Sequence, residues 1–264
     1  MVDAEGEVAG KKDPLPSRSS SSTLFTWRWN GGVHRYLTKV GPGTGDRAVK
    51  VTTVVLMLLL GAGIAVAAAD QAMTREQALA ALADKTNAES RRLGAAWLGD
   101  MGRMQDVPLL VEALRDPDAL VSVLADQSLW KIWGRSGDPE VDAMFQQGVD
   151  QMIRQDFDEA IETFSQIIQK KPAFAEGWNK RATIYYLVGE FEKSLADCEE
   201  VIRRNPVHFG VLSGFGLNYL RLGKPEQALD YFERALAVNP NLAQIQAAVE
   251  ELKQFLAQRR RNSI

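Results

Sequence analysis

The sequence predicts an all-α protein built as a solenoid of helical hairpins, and three observations support that fold class. Prolines recur 34 residues apart, at Pro172, Pro206 and Pro240. Other positions at the same spacing carry similar side chains; the small residues are Ala160, Ser194 and Ala228. Hydrophobic residues make up 45% of the 264 residues, yet few stretches alternate in the manner of β-strands. Repeated amphipathic hairpins bury their apolar faces by stacking on their neighbours.

Residues 1–48 are predicted to be a disordered or mis-assigned N-terminal extension. The stretch from Ser17 to Thr23 is rich in serine, and charged residues are scattered around it. A start codon assigned too early would explain such a segment, and so would a targeting extension. The acidic residues Asp3, Glu5, Glu7 and Asp13 argue against an organelle transit peptide.

Residues 49–69 are predicted to be a signal peptide or a membrane anchor. The stretch from Val51 to Ala69 is uncharged and follows Arg47 and Lys50. It ends in three alanines before Asp70, which fits the small-residue pattern of a cleavage site. About 19 apolar residues are also just enough to span a bilayer, so a retained anchor is the alternative. In both cases the preceding positive charges predict an extracytoplasmic (periplasmic) location, or an anchored protein that faces away from the cytoplasm.

Residues 70–137 are predicted to form short packed helices. Thr74 is placed to cap a helix over residues 75–83. The segment 91–102 has a counterpart 31 residues later, in which Leu98 corresponds to Leu129. Between them, residues 106–118 combine a proline-started short helix with an Asp-Pro-Asp turn, and a longer apolar helix follows. This pattern resembles the HEAT repeat. The alternative is four helices that simply pack onto the array that follows.

Residues 138–264 are predicted to hold three hairpins and a capping helix. The middle unit carries an ordered set of aromatic, small and proline residues: Trp178, Ala182, Tyr185, Ser194, Cys198 and Pro206. This set resembles the tetratricopeptide repeat (TPR), and the resemblance covers roughly residues 141–242. Residues 241–260 read as the helix that closes such an array. Its predicted buried face is Leu242, Ile245, Ala248, Leu252 and Phe255.

The resemblance implies a concave groove lined by the first helix of each hairpin, where members of this family usually bind their ligand. The groove residues carried over by phase are Phe145, Val149, Met152, Asn179, Thr183, Tyr186, Ser213, Leu217 and Leu220. Family members that clamp a C-terminal carboxylate use Lys, Asn and Arg in this groove. The corresponding places here are Phe145, Val149, Lys180, Gly210 and Gly214, so that clamp is absent. A short peptide or a partner's helix suits the remaining groove better.

Composition and motifs argue against several other functions. Only 8 of the 31 basic and 5 of the 34 acidic residues precede Asp70, so the remainder is acidic and nucleic acid is an unexpected partner. The single Cys198 is in phase with Phe164 and Phe232, which predicts a buried structural thiol. The two histidines, His34 and His208, belong to no catalytic set or metal-ligand spacing, so we expect no enzyme, cofactor or metal.

The sequence therefore predicts a non-catalytic scaffold, exported across or anchored in a membrane, that binds a peptide or helix of a partner protein. The alternative is an accessory subunit of an envelope enzyme or of a secretion or assembly complex. Contact with a membrane is expected only through residues 51–69, if they are not cleaved.

Overall fold

The computed structural model describes residues 73–262, and the regular elements in that range are all helical, which confirms the predicted class for this part of the chain. These residues belong to one compact unit. The extension at residues 1–48 and the apolar segment at residues 49–69 lie outside the described residues. Between residues 73 and 262, no helix combines the length and the apolarity that crossing a membrane requires.

Four short helices come first, and most of them begin at polar caps. They are α1 (Arg75–Leu82), α2 (Ala88–Met101), α3 (Val107–Ala113) and α4 (Ala119–Trp133), with a 3₁₀ turn at Met104–Asp106. The predicted cap at Thr74 is confirmed, because its hydroxyl accepts a hydrogen bond from the Gln77 amide and the Gln77 side chain accepts one from the Thr74 amide. The side chains of Asn87 and Asp118 cap α2 and α4.

The bundle α1–α4 has a core of its own. α2 packs against both α1 and α4, and α3 packs against α4. Leu98 and Leu129, which correspond to each other at the 31-residue spacing, are both fully buried there. Three arginine–aspartate pairs join neighbouring segments of the bundle: Arg75–Asp106, Arg91–Asp116 and Arg92–Asp118. These pairs fix the loops that connect the four helices.

Three helical hairpins follow at the predicted positions. They are α5 (Pro139–Arg154) with α6 (Phe157–Lys170), α7 (Ala175–Leu187) with α8 (Phe191–Arg204), and α9 (Phe209–Arg221) with α10 (Pro225–Val238). Each turn places one residue in the left-handed region: Gln155 at φ 66°, Gly189 at φ 87° and Gly223 at φ 69°. Gln155 thus takes the place that glycine occupies, 34 and 68 residues further on, in the other two turns.

Small residues let the two helices of each hairpin approach closely. A Cβ atom on Gly148 would lie 2.7 Å from the ring of Phe164, and one on Gly216 would lie still closer to Phe232. On the second helices, Ala160 and Ala228 are fully buried. Cys198 is also buried, as predicted, and burial raises the pKa of its thiol to about 12. The thiol is therefore protonated and unreactive at neutral pH.

The last helix, α11 (Ala243–Asn262), packs against α10 and closes the array. Its buried side chains are Ile245, Val249 and Leu256. The prediction that Phe255 belongs to the buried face is wrong, because that side chain is 53% exposed. The true face takes Leu256 instead, one residue further on, which follows the 3.6-residue helical period from Ile245 and Val249 more closely.

Candidate functional site

The first helices of the hairpins, α5, α7 and α9, lie side by side, since α5 contacts α7 and α7 contacts α9. The surface that they share is called the groove. Positions 34 residues apart form four rows across it. The inner row is Phe145, Asn179 and Ser213; the middle row is Val149, Thr183 and Leu217; the outer row is Met152, Tyr186 and Leu220; the rim row is Ile153, Leu187 and Arg221.

The inner row is closed by the chain itself. Phe145, Asn179 and Ser213 are all buried. Beside them, α4 places two tryptophans at the start of α9. The Trp133 ring stacks on His208 at 4.4 Å, and the Trp130 ring meets Phe209 edge to face at 5.5 Å. The bundle α1–α4 therefore covers the end of the groove where α7 and α9 begin.

A glycine makes room for this contact. A Cβ atom on Gly210 would lie 2.5 Å from the Trp130 ring, a distance that real side chains do not tolerate. Gly210 is one of the positions at which the resemblance to the tetratricopeptide repeat implies that a carboxylate clamp is absent. Here its missing side chain admits the indole of α4.

A buried charged cluster lies beneath the two tryptophans. The Glu176 carboxylate accepts a hydrogen bond from the Asn179 amide at 2.9 Å and lies 2.6 Å from Nε2 of His208. The ammonium of Lys180 is 3.3 Å from the same carboxylate and 5.9 Å from the centre of the Trp130 ring. Glu176 and His208 are each at most 2% exposed, so this cluster has no access to a ligand.

The pKa shifts follow from this burial. Burial raises the pKa of the Glu176 carboxyl, but Lys180, His208 and the hydrogen bond from Asn179 outweigh it and hold the pKa at about 2. Burial also lowers the pKa of Lys180, and the attraction of Glu176 opposes that shift. Glu176 is ionised at neutral pH and is the counter-ion that allows a lysine to stand in the interior.

His208 also has a structural role. Its Nδ1 accepts a hydrogen bond from the Val211 amide at 3.2 Å and so caps α9. Since Nδ1 is an acceptor, Nε2 carries the proton and donates to Glu176. Among residues 73–262, no three His, Cys, Asp or Glu side chains lie close enough to hold a metal ion. His208 therefore connects the start of α9 to Glu176 of α7.

Further contacts tie the bundle to the last hairpin. The Asn239 amide donates to the carboxylate of Asp126 at 2.8 Å, and the Asn241 amide donates to the carbonyl of Leu114 at 2.7 Å. The guanidinium of Arg115 binds the carbonyls of Ala237 and Val238 at the end of α10. Burial raises the pKa of Asp126 to about 6, although the hydrogen bond from Asn239 opposes this shift.

The opposite end of the groove is open. The middle-row and outer-row side chains keep part of their surface exposed. Leu217 belongs to this set but packs beside the core of α10 and α11. In the rim row, Ile153 is 58% and Leu187 is 54% exposed. The groove that the sequence predicts is thus divided into a closed inner row and an open apolar surface.

The rim row was missing from the prediction, although the sequence contained a signal for it. Ile153 and Leu187 are large aliphatic residues 34 residues apart, directly after the predicted Met152 and Tyr186. No comparable signal marks Trp130 and Trp133 as covers of the inner row, since they belong to a different part of the chain.

The hairpins, their left-handed turns and the capping helix define an α-helical repeat protein. Models of the tetratricopeptide repeat match residues 145–208 and 216–242. A TPR repeat-containing protein of Rhizobium etli is 32% identical over 143 residues, which are 54% of this chain and 69% of that protein. The chain belongs to the tetratricopeptide repeat family.

The next three proteins are similar to smaller parts of this chain. Anaphase-promoting complex subunit 3 of Schizosaccharomyces pombe is 29% identical over 89 residues, or 34% of this chain and 13% of that protein. Among solved structures, the Sgt2 TPR domain from Aspergillus fumigatus is 22% identical with a TM-score of 0.45. The match covers 48% of this chain and 85% of the Sgt2 chain. The first TPR of Spaghetti (RPAP3), bound to an HSP90 peptide, is 23% identical with a TM-score of 0.43. The match covers 44% of this chain and 93% of the RPAP3 chain.

Proposed function

We propose that this protein is a non-catalytic scaffold that binds a peptide or helix of a partner protein on the open part of its groove. The observation that carries the proposal is the exposed apolar surface formed by the outer and rim rows. Its large side chains repeat at the same place in successive hairpins, and an exposed apolar surface of this kind marks a contact site. Membership of the TPR family supports the same function.

The charged groups support binding rather than catalysis. Glu176, Lys180 and His208 form a buried cluster of titratable groups, and α4 covers them. A catalytic group must reach its substrate, which these side chains do not. The acidic excess after residue 70 supports a protein partner over nucleic acid.

The proposed site of action is outside the cytoplasm, with the protein either exported or anchored by residues 49–69. The uncharged stretch from Val51 to Ala69 and the preceding Arg47 and Lys50 support this location. A C-terminally tagged chain at its native level, fractionated and sequenced from its amino terminus, tests it. A start near Asp70 in the extracytoplasmic fraction means export, whereas an intact membrane-bound chain means an anchor. A cytoplasmic product would contradict the location and leave the binding proposal in place.

Photo-crosslinking tests the binding proposal. A photoreactive phenylalanine analogue replaces Leu187 on the rim row in the natively expressed, tagged chain. The matched control carries the analogue at Leu93, which is 49% exposed on α2 and lies outside the groove. We expect a reproducible adduct with one partner protein from position 187 only. Equal adducts at both positions, or none at 187, would argue against groove binding.

A further inference from the structure

We infer that the outer and rim rows bind a short amphipathic helix whose aliphatic side chains lie along Ile153 and Leu187 and whose acidic side chain pairs with Arg221. This inference rests on the proposed function and specifies the chemistry of the partner. Three properties of the surface carry it: its spacing, its closed inner end, and one cation that stands in an otherwise apolar row.

The spacing of the rows fits a helix. Packed helices lie about 8–10 Å apart, so equivalent side chains of successive first helices are separated by about that distance. Seven residues of an α-helix rise by about 10 Å. A partner helix that crosses α5, α7 and α9 can therefore place one aliphatic side chain on each repeat at intervals of seven residues. Crossing all three repeats takes about 15 residues.

The closed inner row confines the partner to the outer and rim rows, which together are called the strip. Trp130 and Trp133 pack against His208 at the start of α9, and the ammonium of Lys180 lies 5.9 Å from the centre of the Trp130 ring and 5.8 Å from that of Phe145. A ligand that ran along the first helices would meet these indoles, whereas one that crosses the helices at their C-terminal ends would not. The exposed residues at those ends include Leu187, Val188 and Leu220.

Arg221 determines the charge of the partner and its direction. It takes the rim-row place that Ile153 and Leu187 hold in the first two repeats. Its guanidinium lies 5.0 Å from the ring centre of Phe191 and 5.8 Å from that of Tyr186. These rings orient the cation by cation–π attraction. Within residues 73–262, the guanidinium of Arg221 lies against these two rings, and no carboxylate forms an ion pair with it.

At the α5 end of the strip, the nearby arginine is already paired with a carboxylate. Arg154, next to Ile153, already binds Asp156 at 2.9 Å. A guanidinium held against aromatic rings and lacking a carboxylate is complementary to an acidic side chain. The acidic residue of the partner therefore lies over the α9 end of the strip, and the helix binds in one direction.

A phage-displayed library of random 16-residue peptides, selected on the full chain, tests the inference. The wild-type protein should enrich aliphatic residues at seven-residue intervals with an acidic residue beside one end. Arg221→Glu should enrich a basic residue at that place. Arg261→Glu, an equal change of charge on an exposed arginine of α11, should enrich the same peptides as wild type. Leu187→Asp should enrich no shared pattern, while Leu93→Asp should behave as wild type.

Affinity then measures the contribution of the charge. In fluorescence anisotropy, changing the acidic residue of one selected peptide to lysine should weaken binding about ten-fold, and Arg221→Glu should restore it. Identical selections by the wild type and Arg221→Glu would overturn the inference, and so would a failure to enrich any pattern. If Leu187 nevertheless crosslinks to a partner protein, the proposed function stands and only the acidic-helix chemistry is wrong.

Two other occupants would also overturn the inference. A dimer of the full chain in sedimentation velocity, lost in Leu187→Asp and kept in Leu93→Asp, would identify a second copy on the strip. An intramolecular crosslink from position 187 to residues 1–72 would identify the chain's own amino-terminal part.

Discussion

Asp126 is a partly buried carboxylate on α4 that accepts a hydrogen bond from the Asn239 side chain. Burial raises its pKa from 3.8 to about 6. The folded state therefore holds the proton more tightly than the unfolded chain. This contribution to stability is full below pH 4 and is lost as the pH rises to about 6.

Replacing Asp126 with asparagine should stabilise the protein at neutral pH, because the amide keeps an acceptor for Asn239 and cannot ionise. We expect a gain of about 1–3 kcal/mol at pH 8, since a shift of about two pKa units corresponds to about 3 kcal/mol. At pH 4 the gain should vanish. Urea unfolding of both proteins at the two pH values measures this difference, and a gain that does not change with pH would contradict the burial argument.

Glu176 is the counter-ion for a lysine in the interior. Glu176→Gln removes the carboxylate that lies 3.3 Å from the buried ammonium of Lys180, and breaking such a pair costs about 3–5 kcal/mol. Lys180→Met alone should cost less, because Glu176 keeps its contacts with His208 and Asn179. The double variant should be more stable than Glu176→Gln. A double-mutant cycle from urea unfolding measures the coupling; additive losses would show that the two side chains act independently.

At the scale of elements, the fit of α4 against α9 depends on a missing side chain. Gly210→Ala places a methyl group 2.5 Å from the Trp130 ring, so α4 or α9 must shift. Such overpacking costs about 1–3 kcal/mol. Gly214→Ala is the matched control on the same helix, because its Cβ atom would meet nothing closer than the Cys198 sulfur at 3.9 Å. Alanine in that helical position should raise stability by up to about 1 kcal/mol.

Thermal unfolding of the two glycine variants, with tryptophan fluorescence, distinguishes these effects. Gly210→Ala should lower the midpoint and alter the tryptophan emission of the folded protein. Gly214→Ala should leave the emission unchanged. Equal behaviour of the two variants would mean that the Trp130 contact does not determine the position of α4.

At the scale of the whole molecule, the bundle and the repeats share one core. Phe209 of α9 belongs to the same buried cluster as Leu98 and Leu129, and Val238 and Leu242 pack against its edge. In a simple repeat array each repeat contacts only its neighbours, so the array can unfold in stages. Here α4 contacts both α9 and the loop before α11, so the bundle packs on the last hairpin while the chain joins it to the first.

We therefore expect residues 73–262 to unfold in one cooperative transition. Far-ultraviolet circular dichroism should follow all the helices, and tryptophan fluorescence should report chiefly on Trp97, Trp130, Trp133 and Trp178 in the described part of the chain. The two urea curves should coincide. Two separated transitions would show that the bundle and the hairpins are independent units.

Much of the fold could be predicted because repeat proteins encode it locally. The prolines, the small residues and the positions of the left-handed turns recur every 34 residues, so each hairpin can be read from its own stretch of sequence. Cys198 was correctly predicted as buried by the same spacing. Phe255 was not, because α11 does not repeat and its face depends on which residues α10 presents to it.

The candidate site could be predicted only in part. The 34-residue spacing alone placed nine residues on the groove side of the first helices, and six of them keep exposed surface in the structure. Phase could not reveal that Phe145, Asn179 and Ser213 are covered. Asn179 is buried beside Glu176, in the charged cluster that lies beneath Trp133, and Phe145 packs on Phe164 and Phe174. Both positions are therefore covered by residues from other segments of the chain.

The sequence by itself determined the hairpins, their order and the residues that each first helix presents, because those features depend on neighbours in the chain. Only the tertiary structure decided which of these residues remain accessible. Burial depends on which distant segment packs on a surface, and the 34-residue period contains no information on α4. The tertiary contacts thus turn a continuous groove into a sealed inner row and an open strip that ends at Arg221.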